Sequence, residues 1–182
     1  MQVAHQAGKI LKRFGYSEHE IELAKIAGYM HDIGNAINRT HHAEYGALLA
    51  NELLKDTDMT LEDRITVVSA IGNHDESTGS PVDVISAALI IADKTDVRRS
   101  RVRQKEKSAF DIHDRVNYAV TDSKLKIDEE KSVIALNLQI DENICSMYDY
   151  FEIFLGRMMF CRKSAEILGT TFKLTVNGRK VL

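Results

Sequence analysis

The sequence predicts a mainly α fold: a helical bundle over residues 1–120, then a small α+β appendage over residues 121–182 made of an antiparallel sheet and one helix. Three observations predict it. A single proline, Pro81, stands in the whole chain, so little breaks helices. Apolar residues recur at three- and four-residue intervals as far as about residue 120, which gathers them on one helical face. Beyond Thr121 the pattern changes to alternation with period two, the mark of a half-buried strand.

Val3, Ala7, Ile10, Leu11 and Phe14 make the first stripe, which Gly15 ends. Ser17 with Glu20 forms a capping box and opens a second helix, whose Ile21, Ala24, Ala27 and Gly28 lead into His31. A third helix spans residues 42–55, and a fourth opens at Thr60 with Asp63 completing its cap. A fifth opens at Ser80-Pro81, with Asp83 in its first turn, and runs through Asp93. Residues 124–128 and 133–140 alternate on either side of the acidic turn Asp128-Glu129-Glu130 and read as a hairpin. Residues 143–168 read as an amphipathic helix, and residues 171–176, before the turn Asn177-Gly178, as a further strand.

Composition excludes several classes. With 44% hydrophobic and 28% charged residues the chain can bury a core, which rules out collagen-like, low-complexity and disordered readings. The longest apolar stretch, residues 85–92, is far shorter than the roughly 20 residues that cross a bilayer. The N-terminus does not resemble a signal peptide, and Cys145 and Cys161 are too few for a disulfide framework. A cytoplasmic location without a membrane partner is expected.

Chemistry concentrates in His31, Asp32, His42, His74 and Asp93. A lone histidine on an apolar face is usually a hydrogen-bonded core residue. Here the helical spacing aligns His31 with Ala24, Ala27 and Gly28, His42 with Gly46 and Leu49, His74 with Val67, Ala70 and Ile71, and Asp93 with Leu89 and Ile90. All of them are expected to face inward. Three imidazoles and two carboxylates buried in so small a chain cost several kcal/mol per unpaired charge unless a cation compensates them. A donor set of imidazole and carboxylate without thiolate suits one or two divalent transition ions, iron or manganese first, then zinc, nickel or cobalt. Asp32, next to His31, is placed to bridge two ions, an arrangement that clamps a phosphoryl oxygen and acidifies water.

The pattern His31-Asp32-Ile33-Gly34, then His42 with Gly46 and Ala47, then Ile71 with His74, then Ile91-Ala92-Asp93-Lys94, resembles the HD-domain metal-dependent phosphohydrolase superfamily over about residues 3–105. The resemblance implies an all-helical fold, a mononuclear or dinuclear metal site held by His31, Asp32, His42, His74 and Asp93, and hydrolysis of nucleotides or other phosphate esters. Two departures bear on that expectation. The histidine that usually precedes the first helix falls before Met1, so the chain is expected to begin inside a longer reading frame, and His5, on the polar face with Lys9 and Lys12, is a poor substitute. Asn35 stands where many members carry lysine, and Arg39 is a candidate to replace that charge.

Seven basic residues crowd positions 94–107. Lys94 is assigned with Asp32 to the catalytic set, steadying phosphoryl charge, and Arg99 and Arg98 to substrate phosphates, since Arg99 resembles a family arginine six residues past the aspartate. His41 is read as a rim residue facing substrate, while Asp75 and Glu76 read as solvated loop acids. The partner expected is a small phosphorylated substrate, a nucleotide foremost. Nucleic acid is disfavoured, because 24 basic against 27 acidic residues leave a net charge of −3 and no aromatics interleave the basic run. The C-terminal sheet is left open to substrate selection or to formation of a homodimer. The rival expectation is a catalytically weakened nucleotide- or metal-binding regulatory module on the same fold.

Overall fold

A computed structural model describes residues 1–97 and 112–182. Five helices build the first part: α1 Gln2–Arg13, α2 Glu18–Met30, α3 His42–Leu54, α4 Leu61–Gly72 and α5 Val84–Lys94. Local chemistry sets their ends. Gly15 takes the left-handed φ of +77° that stops α1, and Ser17 and Glu20 close the expected capping box on α2. Thr60 caps α4 through the Asp63 amide. The fifth helix starts later than Ser80-Pro81: Asp83 caps it by accepting from the Ser86 amide, and the Ser86 hydroxyl accepts from the Asp83 amide in return.

α5 is apolar on every side, and every residue from Ile85 to Lys94 is buried. A helix with that pattern has to sit at the centre. α1, α2 and α4 pack around it, and the expected inward stripe of α1 is buried at Val3, Ala7, Ile10 and Leu11.

After α6 (Ile112–Ala119) come β1 Val120–Asp128, β2 Val133–Ile140, α7 Met147–Ile167, β3 Thr171–Val176 and β4 Arg179–Lys180. The four strands lie in the order β1-β2-β3-β4. The β1–β2 hairpin and the β3–β4 pair are antiparallel, but β2 and β3 run parallel, from Val133 beside Thr171 to Leu138 beside Val176. The sheet is therefore mixed, which corrects the all-antiparallel expectation. The cause is α7, whose 21 residues span about 30 Å and return the chain to the end of the sheet where β2 began. α7 also starts at Met147 and not near residue 143, because Ser146 and Asp149 supply a capping box.

Tyr150, Phe154, Met158, Cys161 and Ala165, spaced four, four, three and four apart, form the buried face of α7, and α7 packs against α5. The C-terminal helix thus flanks the central helix that ends in Asp93 and Lys94. Apolar burial is continuous from α1 through α5 into α7 and the sheet. Among the described residues no helix is long and apolar enough to cross a membrane.

Candidate metal centre

Four helix ends meet at one place. His31 caps the C-terminus of α2, Asp32 leads into a 3-10 turn at Ile33–Ala36, His42 opens α3, His74 follows α4 by two residues, and Asp93 lies in the last turn of α5. The turn needs Gly34, since a Cβ there would overlap the carbonyl oxygen of His42 and crowd the amide of Gly46. That close approach locks the loop bearing Asp32 onto the start of α3.

The three imidazoles are held in the same way. Nδ1 of His31 donates to the carbonyl of Gly28 at 2.8 Å, Nδ1 of His42 to that of Arg39 at 3.2 Å, and Nδ1 of His74 to that of Ile71 at 2.6 Å. A carbonyl only accepts, so each bond fixes the proton on Nδ1 and leaves Nε2 as a lone pair. Those lone pairs converge. Nε2 of His42 and Nε2 of His74 stand 3.2 Å apart, and Nε2 of His31 is buried without a hydrogen-bond partner. Asp32 straddles the gap, with Oδ2 3.6 Å from Nε2 of His31 and Oδ1 3.7 Å from Nε2 of His42. Oδ1 of Asp93 closes the other side, 3.6 Å from Nε2 of His31.

Two lone pairs at that separation repel unless a cation sits between them. The residues thus fit a divalent ion: donor atoms of His31, His74 and Asp93, and of Asp32, His42 and His74, each lie within 4.8 Å of one another. His74 belongs to both groups, and its single free lone pair serves one ion at a time.

Two of these rings are pulled in opposite directions by their surroundings. Burial pushes the pKa of His74 down to about 4 against the opposing pull of Asp93, so the ring is neutral at pH 7. Burial also acts to lower His31, but the Asp93 and Asp32 carboxylates outweigh it and raise that pKa. Asp93 stays well below the usual carboxylate range, because Lys94 and His31 overcome its desolvation.

Around this cluster lie groups that reshape the expectation. Lys94 is 6% exposed and its Nζ contacts Oε2 of Glu76 at 2.6 Å and Oδ2 of Asp93 at 3.0 Å. Oε1 of Glu76 in turn accepts from Nε of Arg157 at 2.7 Å. Asp75 accepts from the Ser77 amide at 2.8 Å and places Oδ2 3.5 Å from Nδ1 of His42. Asp75 and Glu76 are therefore parts of the site and not solvated loop acids; Asp75 is drawn in beside His42, and Glu76 by Lys94 and by the Arg157 that α7 brings to it. A cavity of about 250 Å³ opens here, lined by Asp32, His42 and Asp93 and by three cations, Arg39, Lys94 and Arg157.

Not every expected residue joins them. His41 has a left-handed φ of +60°, is exposed, and turns its Nδ1 to 3.5 Å from Oε1 of Glu44, away from the cavity lining. His5 is exposed on α1 and lines a separate apolar groove with Tyr29 and Met30. Arg98 and Arg99 lie outside the described residues. Sequence reasoning does not reach Arg157, since its only signal is a basic residue three positions past Phe154 on the apolar face of a distant helix.

The profile of the HD domain matches residues 1–112. The chain belongs to the HD domain family. HD domains form a superfamily of metal-dependent phosphohydrolases, in keeping with the nitrogen and oxygen donors gathered here. The chain is also similar to an uncharacterized protein, MJ1020, of Methanocaldococcus jannaschii, 26% identical over 131 residues that cover 65% of this chain. The chain spans about half the length of that relative, 49%.

Proposed function

We propose that this HD domain hydrolyses phosphoric esters with the help of one or two divalent transition ions, and that its substrate is a small phosphorylated molecule, a nucleotide or a related ester. One observation carries the reading: three Nε2 lone pairs, fixed by backbone carbonyls, point together between two carboxylates. His31, His42, His74 and Asp93 would hold the ions, and Asp32, with one oxygen toward each of two histidines, would bridge them. Iron or manganese suits this mixture of imidazole and carboxylate without thiolate. When bound, such an ion polarises a phosphoryl oxygen and lowers the pKa of water.

The chain's own residues supply the rest. Asp32, the most exposed of the five, reaches into the cavity, so the ions it would bridge would face the reacting group there. Lys94 keeps a fixed positive charge in the cavity wall, held by two carboxylates, and would steady charge on the phosphoryl group. A cavity of about 250 Å³ takes a phosphoryl group and leaves most of a nucleotide outside it.

The test pairs elemental analysis with phosphate release. Protein loaded with Fe(II) or Mn(II) should hold at least one ion per chain and release phosphate from some member of a panel of nucleotides and simpler esters. Full metal occupancy with no release from any ester would favour the binding-module alternative instead.

A further inference from the structure

Arg157 enters the cavity from α7, outside the residues that the HD profile matches. Its guanidinium is held on two sides. Nε donates to Glu76 at 2.7 Å, and the central carbon lies 5.0 Å from the centre of the Phe154 ring, within cation–π range. Phe154 is itself fixed, fully buried and stacked on Tyr150 with ring centres 4.9 Å apart. These contacts occupy one edge and one face of the guanidinium. Among the described residues its two terminal amino groups donate to no protein acceptor, although the side chain is only 20% exposed.

An arginine braced at Nε with its paired amino groups unspent is a fork aimed at a planar or tetrahedral oxyanion. Glu76 does the same service for Lys94, so one carboxylate spaces two cations along the wall of one cavity. The acids of the cavity would repel a phosphate from this wall if the cations did not stand there.

We propose that Arg157 is a phosphate-binding residue of this site, donating from its two terminal amino groups to the oxygens of the substrate's phosphoryl group, and that Glu76 is the positioning residue that holds it. The inference rests on the proposed function for its substrate class. It makes α7, and not the HD helices alone, the source of a substrate contact.

The experiment measures calorimetric binding of inorganic phosphate to the Mn(II)-loaded full chain, with metal content and thermal unfolding recorded for each variant. Arg157→Ala should weaken phosphate binding ten- to a hundredfold with metal content unchanged, and Arg157→Lys should recover only part, since a point charge lacks the fork. Glu76→Gln removes the charge of the ion pair but keeps both cations and an oxygen that can still accept from Nε of Arg157, so it should weaken phosphate binding only a few-fold, clearly less than Arg157→Ala. Arg162→Ala, which removes an exposed ion pair with Glu166 on the same helix, should change nothing. Equal losses in Arg157→Ala and Glu76→Gln would make Arg157 a strap between α7 and the loop and overturn the proposal. So would unchanged binding in Arg157→Ala, or a wild-type protein that binds no phosphate. Arg157-dependent binding without turnover of any ester keeps this inference and removes the proposed function; turnover with unaltered phosphate affinity in Arg157→Ala does the reverse.

Discussion

Asn35 grips Asp32 twice through one amide nitrogen: Nδ2 donates to the Asp32 carbonyl at 3.1 Å and to Oδ1 of its carboxylate at 2.9 Å. Asn35 therefore orients the candidate bridging carboxylate by holding the oxygen that faces His42. Orienting partners of this kind are worth ten- to a hundredfold in metal affinity. Asn35→Ala should weaken Mn(II) binding by about that factor, and Asp32→Ala should lose most of the metal. Asn35 is exposed, so its replacement should leave the melting temperature of metal-free protein nearly unchanged. Titration with Mn(II) alongside thermal unfolding checks both outcomes.

Gly34→Ala should be far more damaging than an exposed-turn substitution. The new Cβ collides with backbone at the start of α3, so the turn and the helix have to part and carry Asp32 away from His42. The expected result is lowered thermal stability together with lost metal binding. A variant of normal stability and full metal content would show that the turn relaxes freely.

Lys94 holds two carboxylates in a place that water barely reaches. Lys94→Met removes the buried cation shared by Asp93 and Glu76 while Arg157 stays on Glu76 and His31 beside Asp93, and breaking a buried ion pair from one side typically costs about 3–5 kcal/mol. Urea unfolding of metal-free protein should show a loss on that scale. Adding Glu76→Gln should restore part of it, because one of the two carboxylates that lost Lys94 is then neutral.

A pH dependence is expected away from the metal cluster. Asp63 accepts from the Thr60 hydroxyl at 2.8 Å and lies 2.7 Å from Nε2 of His19, and these two contacts hold its carboxyl below the ordinary value of 3.8. A carboxylate with a lowered folded pKa stabilises fully above its unfolded pKa, and that stabilisation fades as pH falls through the folded value. Asp63→Asn should therefore lower the urea midpoint at pH 7. The gap between variant and wild type should close as pH is taken below 4.

Much of the site was legible because its signals are local. Capping boxes such as Ser17 with Glu20 are read at a spacing of three, and helical periodicity points to the buried positions of His31, His42 and Asp93, while His74, two residues past α4, is turned inward by its bond to the Ile71 carbonyl. The start of α5 falls too early in the sequence reading because Ser80 and Asp83 share that spacing with Asp83 and Ser86, and only burial of the helix beyond them separates the two. The parallel pairing of β2 with β3 could not be read, since alternation is the same for either direction of a neighbour. Glu76 and Arg157 were invisible as partners for a different reason. They are 81 positions apart, and no periodicity links a loop after α4 to the flank of α7.

That separation has a consequence in time as well as in space. All five candidate ligands lie between positions 31 and 93, whereas the arginine that reaches their cavity follows the last of them by 157 − 93 = 64 residues. At roughly 5–20 residues per second, several seconds of synthesis divide the two. Closing so long a loop also costs entropy before the Glu76–Arg157 contact returns anything, so this contact belongs among the late events of folding. During that interval the nascent chain carries its histidines and aspartates without the arm of α7 beside them.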